Sequence, residues 1–474
     1  MMFEYAVVGS GIGGSSIASY LNSKKKDVAL FEKEPYLGGC SSTFRHKNFN
    51  YNTGATTLSG YEDGFVVKEM FDSIGFSPKL IQTDPTIVVI QNKKATPRYK
   101  DFEKFLNVLE TNYPHPKNRE FWALIHKINS DFYKHNGHYY SNKNLFSKIC
   151  SLASFTPLGL SFFKYLAVSA SHFIDDFFGG IDEEYLQFLE SQILIVAQAP
   201  AKEINFLTAA LSLGYTFNVN HYVVGGFSRL FDDMTKNIKN IYRDSEILSI
   251  EKKSDSFELY TKDEIFRAKK VILNSTVYDS AKLFSDAKIK EYYKYYEKLN
   301  NNQSSFMLYL TIKSEQKFHH HYQLIQKEKF ANTLSCALFV SFSDIDDLNL
   351  APSGHYSITA SIHTNVQFWQ NPQTYKAQKK ELKNLLLDTI LNQLSIKKEE
   401  VIQSFAATPK SFNRYLNRSQ LGGNAISMEN FLPFLPSNDT KINGLYNVGD
   451  SVYAAQGWPG VMLGVKNLQR LLHV

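Results

Sequence analysis

The chain has 474 residues, more than one comfortable hydrophobic core holds, so two domains are expected. Its 43% apolar and 21% charged residues are ordinary globular composition. The net charge of +6 is spread over dispersed lysines, Lys24-Lys25-Lys26 being the longest run, which argues against nucleic-acid binding and leaves a faint attraction to anionic lipid.

The N-terminus, Met1-Met2-Phe3-Glu4, carries no basic region and runs straight into an apolar strand, so it does not read as a signal peptide. Tyr5-Ala6-Val7-Val8 leads into Gly9-Ser10-Gly11-Ile12-Gly13-Gly14, and a second apolar stretch, Val28 to Phe31, closes on Glu32. This is the strand–glycine turn–helix–strand order of a Rossmann βαβ unit. Gly9 makes the turn, Gly11 lets backbone approach a pyrophosphate, and Gly14 lets helix pack on strand. The helix N-terminus offers free N–H groups to phosphate. Glu32, 18 residues after Gly14, is placed to accept hydrogen bonds from a ribose diol and disfavours a 2′-phosphate.

Gly38-Gly39-Cys40-Ser41-Ser42-Thr43 follows at once, with a further glycine at Gly54. In a nicotinamide enzyme the second strand leads into another crossover helix. A glycine and hydroxyl cluster here instead suggests a loop laid along a longer cofactor, a flavin dinucleotide. Cys40, Cys150 and Cys336 lie far apart, without redox-motif or metal-ligand spacing. That sets aside disulfide-reductase chemistry and makes a reducing cytoplasm the default location. Peripheral attachment to the inner face of a membrane is the alternative.

Residues 61–220 read as mostly helical, with Phe102, Phe105, Leu106 and Leu109 on one face. No stretch of about 20 uninterrupted apolar residues occurs. Within 152–178, apolar residues are dense, but Pro157 and Lys164 argue against a spanning helix. Two readings stay open there, a membrane-dipping tunnel mouth and a buried helix pair. The high aromatic content suits an apolar tunnel, though an AT-rich genome enriches Phe and Tyr equally.

Val223 to Leu230 opens a second cofactor block, with a helix to Asn237, a strand at Ile247 to Ile250, a hairpin partner at Ser256 to Tyr260, and a strand at Lys270 to Asn274. Residues 296–430 mix strands (Phe306 to Ile312, Leu334 to Phe342, Tyr356 to His363) with a helix near Lys376 to Leu394. His319-His320-His321 cannot all face one ion on a strand, where side chains alternate, so a solvated strand end or a place on a substrate cavity is expected. His355 and His363 are expected on the surface or in the core. Asp344, Asp346 and Asp347 lack calcium-loop spacing and read as a solvated turn. No metal site is expected.

The C-terminal piece, Gly444 to Asp450, is a strand delivering Asp450 to ribityl or pyrophosphate oxygens. Ala455-Gln456-Gly457-Trp458-Pro459-Gly460-Val461 then turns into a helix whose N-terminus would face the N1–C2=O edge of a flavin. The expected fold is α/β: a discontinuous Rossmann-type FAD-binding domain (1–60, 221–295 and 431–474) with an inserted mixed α+β substrate domain (61–220 and 296–430).

On Gly9 to Gly14 with Glu32, Gly38-Gly39 with Ser41 and Thr43, Phe49 to Gly54, Gly225-Gly226, Ile247 to Ile250, and Gly449-Asp450 through Gly464, the chain resembles the phytoene desaturase and carotenoid isomerase family. Retinol saturase is a cousin, within the amine-oxidase-like flavoproteins. The resemblance implies non-covalent FAD and a long isoprenoid or polyene substrate, desaturated, saturated or isomerised at the flavin. The electron acceptor, quinone or oxygen, stays open. By the matching positions, Glu32 lies at the ribose, Ser41, Ser42 and Thr43 at the phosphates, the Ile247 backbone at the adenine, and Gln456 to Val461 beside the isoalloxazine; Ser10, Lys33, Gly54 and Ala55 are further cofactor-binding candidates. Gln456, Trp458 and Asn52 are the flavin-facing candidates, without an assigned catalytic role. Asn52 departs from the family's usual aspartate, which alters polarity near the flavin. A flavin amine oxidase and a non-catalytic flavin-binding protein are the alternatives.

Overall fold

The apolar stretch Met2–Val8 is the central strand of a seven-stranded sheet in the computed structural model, which describes residues 2–134, 137–418, 420–423, 427, 435–453 and 456–474. Val28–Phe31 pairs with it in parallel on one side and Ile265–Leu273 on the other. Asn240–Tyr242 extends the first edge; the hairpin Ser249–Lys252 and Phe257–Tyr260, and the short parallel strand Leu445–Asn447, extend the second. Strands drawn from both ends and the middle of the chain thus share one Rossmann-type sheet. The opening helix, Ile12–Ser23, packs beside the closing helix, Gly457–Leu472, through Ile17, Leu21, Met462 and Val465.

Register explains where the site lies. Val8 is level with Phe31 and with Leu273, and Leu273 is level with Asn447. Gly9, Glu32, Asn274 and Val448 therefore emerge side by side at the carboxyl edge, where open α/β sheets bind ligands.

A second sheet of seven strands runs Val401–Ala407, Gln303–Lys313, His355–Asn365, Ala337–Phe342, His321–Ile325, Ile87–Gln91, Lys94–Arg98. The amphipathic helix Pro372–Gln393 covers it through Leu382, Leu386 and Ile390. The last two strands are an exception within 61–220, a segment otherwise mostly helical as expected. Their tight hairpin turns on Asn92 and Lys93, both in the left-handed region (φ 49° and 66°). Such turns favour glycine, and without Asn-Gly or Asp-Gly the sequence gives no hairpin signal.

The rest of 61–220 is helical, and side-chain caps start the helices: Asp101, Asn144, Ser169 and Asn205 each accept from the backbone N–H three residues on. Arg98 ties this layer to the sheet. Its guanidinium, fully buried, donates to Gln192 Oε1, the Leu213 carbonyl and Thr216 Oγ1, and stacks over Phe105 and Trp122.

Leu145–Leu166 is one continuous helix of 22 residues with Pro157 inside it. Among the described residues it is the one helix long and apolar enough to cross a membrane, and only 11% of its apolar window is buried. Pro157 does not interrupt the helix, and the expectation of a buried helix pair is corrected. Leu160 is 78% exposed and Phe163 70% exposed, with Leu145, Phe146, Ile149 and Leu152 also open.

Candidate cofactor and substrate site

The opening glycine turn is shaped by contacts that reject side chains. A Cβ on Gly14 would collide with the Gly9 carbonyl oxygen; one on Gly13 would lie 2.8 Å from Asn274 Oδ1. Asn274 Oδ1 also accepts from the Gly14 N–H at 2.5 Å, so this asparagine sets the turn's shape from the neighbouring strand. The sequence marks Asn274 only as a strand end.

Glu32 stands across from the turn. Its Oε2 accepts from the Ser10 N–H (3.0 Å) and the Ser10 hydroxyl (2.5 Å), and Oε1 accepts from the Glu34 N–H (3.0 Å). Ser10 Oγ receives the Gly38 N–H at 3.2 Å, which links the first glycine turn to the second. Gly38, Gly39, Cys40, Ser41, Gly54 and Ala55 continue the wall, and burial pushes the Cys40 thiol up, so it stays protonated. Ser42, Thr43 and Asn52 stand behind that wall. Ser42 bonds Thr53 at 2.8 Å, while Asn52 Oδ1 accepts from Thr43 Oγ1 (2.8 Å) and the Phe227 N–H (3.3 Å). Asn52 thus braces the start of the Phe227–Thr235 helix.

At the other end, Gly449 (φ 121°) releases the chain from the strand and places Asp450 on the wall, where it meets Arg418 at 3.1 Å. Burial would discharge this guanidinium, but Asp450 beside it holds it charged. Arg418 carries no sequence signal, because it comes from a loop between the sheets. Gln456 precedes the closing helix, and its amide donates to the Val196 carbonyl. Trp458 borders the wall but is 3% exposed, stacked with Phe227 and Phe231, so most of it is core. Gly457, Pro459, Gly460, Val461 and Ile247 line the wall, as does Lys33, which donates to the Arg414 carbonyl and Asn417 Oδ1. Ala455 and residues 431–434 fall outside the described residues.

All but four of the expected site residues (Gly14, Ser42, Thr43 and Asn52) thus border one continuous cavity of about 1070 Å³. Sites for one small ligand run about 300–1,000 Å³, so this cavity lies at the large end, with room for an extended cofactor. Past the glycine turns the wall becomes apolar, with Phe155, Leu158, Leu166, Leu207, Leu211 and Phe339. Five of the residues of the Leu145–Leu166 helix on this wall, Leu152, Phe155, Leu158, Gly159 and Leu166, place its inner side on the cavity while its outer side is open.

Two histidine expectations change, the first being His363, which lines the cavity rather than the surface or the core. His321 is not at a solvated strand end: it is 2% exposed, between Thr57 Oγ1 (3.1 Å) and Ser341 Oγ (3.0 Å). Burial, then neighbouring His320, brings its pKa down to about 3, so it is neutral. His320 stacks on Tyr222 and faces Asp344. Asp347 is likewise buried, accepting from Tyr222 Oη and the Gly225 N–H, both 2.7 Å, rather than standing in a solvated turn. Among the described residues no group of three or more His, Cys, Asp or Glu is arranged to hold a metal.

A family model described as NAD(P)-binding Rossmann-like domain matches residues 7–74. The carrot (Daucus carota) chloroplastic prolycopene isomerase is 25% identical over 96% of this chain and 77% of its own length. The rat (Rattus norvegicus) all-trans-retinol 13,14-reductase is 27% identical over 23% of this chain and 19% of its own. Among solved structures, an oxidoreductase from Methanosarcina mazei superposes with a TM-score of 0.66 at 20% identity, covering 98% of this chain and 99% of the other. A putrescine oxidase with putrescine bound gives 0.65 at 13% identity, covering 100% and 98%.

Proposed function

We propose, from homology to the prolycopene isomerases along nearly the whole chain, that this protein is an FAD-dependent oxidoreductase acting on a long isoprenoid or polyene. The observation that carries the reading is the single cavity, polar and glycine-lined at one end and apolar at the other.

The residues present fit a flavin dinucleotide. Side-chain-free approach at Gly11 and Gly13, the Glu32 carboxylate beyond them, and Asp450 with the closing helix at the far end span a ligand longer than a mononucleotide. When bound, the flavin supplies the redox chemistry, exchanging a hydride with an allylic carbon. The chain's own part is to bind and orient. Glu32 and Ser10 would hold the ribose, Gly38 to Ser41 the phosphates, and Gln456 to Val461 the ring edge. Leu207, Leu211 and Phe339 would exclude water from the reacting carbons. Desaturation or saturation also moves a proton at the neighbouring carbon, and no residue of the chain is assigned that role.

The Leu145–Leu166 helix gives the substrate its route. Its open face carries Leu145, Phe146, Ile149, Leu160 and Phe163, with Lys148 and Lys164 beside them, while its inner face walls the cavity. This combination supports a reading in which the helix lies in one leaflet and passes lipid inward, with the enzyme attached peripherally to a membrane surface.

The test is direct. The purified protein should be yellow and release FAD on denaturation. Anaerobically reduced holoprotein should then convert prolycopene or retinol to an altered polyene. Colourless protein that stays so when soaked in FAD overturns the cofactor reading; turnover of benzylamine-type amines alone overturns the polyene reading.

A further inference from the structure

We propose that His363, held by Gln198, accepts a hydrogen bond from a hydroxyl group at one end of the substrate, so that the cavity favours an alcohol-bearing polyene over one lacking that O–H. This rests on the polyene reading above and narrows it.

Polar side chains interrupt the apolar wall on the helical side (Thr156, Thr208, Ser212) and again where the second sheet contributes to it. There Ser305, Ser361 and His363 line the cavity from neighbouring strands, His363 being level with Ser305 in the pairing of Gln303–Lys313 with His355–Asn365. An all-carbon ligand gains nothing from these groups and must strip water from them, which is unfavourable unless they find partners.

The hydrogen bonds fix what His363 offers. Gln198 Oε1 accepts from Gln303 Nε2 (2.9 Å), and Gln198 Nε2 donates to the Ile195 carbonyl (3.0 Å). The amide is therefore oriented, and its oxygen faces His363 Nε2 at 3.0 Å, so that nitrogen carries the proton. Nδ1 is left with a lone pair and no partner among the described residues. Burial brings the pKa of His363 down to about 4, which keeps the ring neutral and Nδ1 an acceptor. Gly422 packs over the same amide: a Cβ there would lie 2.8 Å from Gln198 Oε1. Gln198 also follows Val196, whose carbonyl holds Gln456, so the anchor sits at the closing-helix end of the cavity. An O–H donor is matched by this acceptor; an ether of the same length is not.

Holoprotein is titrated with all-trans-retinol and with its methyl ether, following quenching of tryptophan emission, with flavin content as the check on folding. Wild type should bind retinol about 5- to 10-fold more tightly than the ether, the worth of one added hydrogen bond. His363→Phe should erase that preference while binding the ether as well as before. Gln198→Leu, which frees the imidazole to turn, should reduce it. Equal binding of both ligands by wild type, or a parallel loss of both in His363→Phe with flavin intact, overturns the anchor and leaves the polyene reading standing. Holoprotein that binds neither ligand overturns both.

Discussion

Asn274 and Gly14 are joined by a hydrogen bond from the Gly14 N–H to Asn274 Oδ1, across 260 residues of sequence. The end of one parallel strand thereby holds the first turn of the helix that follows another. Asn274→Ala removes the acceptor and should lower stability by about 1–2 kcal/mol, read as an urea midpoint. Asn274→Asp keeps the acceptor but brings negative charge to the turn. It should keep most of the stability and lose flavin retention, which separates a scaffold role from a ligand-facing one.

Glu32 already gathers Ser10 and the second glycine turn around its carboxylate. Glu32→Ala should weaken FAD retention by about 1–3 kcal/mol, the loss of one or two hydrogen bonds to a buried ribose. Flavin occupancy after dialysis reads it, and unchanged occupancy would count against the placement.

Arg418 and Asp450 form a largely enclosed ion pair. Removing one charge strands the other, so Asp450→Asn should cost about 3 kcal/mol of apoprotein stability. The double variant Arg418→Met/Asp450→Asn should recover part of that loss. A double-mutant cycle in urea measures the coupling, and strict additivity would mean the pair contributes nothing.

Acid should weaken the fold through His321. Its folded pKa of about 3 lies below the roughly 6.5 of an unfolded histidine, so the unfolded chain binds the proton first. Stability contributed by the neutral ring is complete above pH about 6.5 and declines as pH falls towards 3, by up to about 1.4 kcal/mol per pH unit. The melting temperature of His321→Gln should fall less steeply over that window than that of wild type.

How much of this was legible follows from where each signal resides. The glycine turn, Glu32 and the closing helix are local patterns, dictated by backbone approach and helix-end geometry, and they stand in the sequence in order. Arg418 and Asn274 act through partners 32 and 260 positions away, and neither belongs to a short motif. The strands Ile87–Gln91 and Lys94–Arg98 were hidden by a turn of Asn92 and Lys93, residues that tolerate the left-handed conformation without announcing it. His321 and Asp347 misled because charge-bearing residues in a row resemble surface; their burial depends on partners from other segments, Ser341 and Thr57 for one, Tyr222 for the other. Pro157 lies inside a continuous helix, because a proline lacks one helical hydrogen bond without having to end the helix.

If one void serves both ligands, as proposed, occupancy would follow a sequence in time. A coenzyme held between the glycine turns would load first, and the greasy guest would come to rest against it. Each guest would then leave past the Leu145–Leu166 helix, and the coenzyme would stay behind between turnovers.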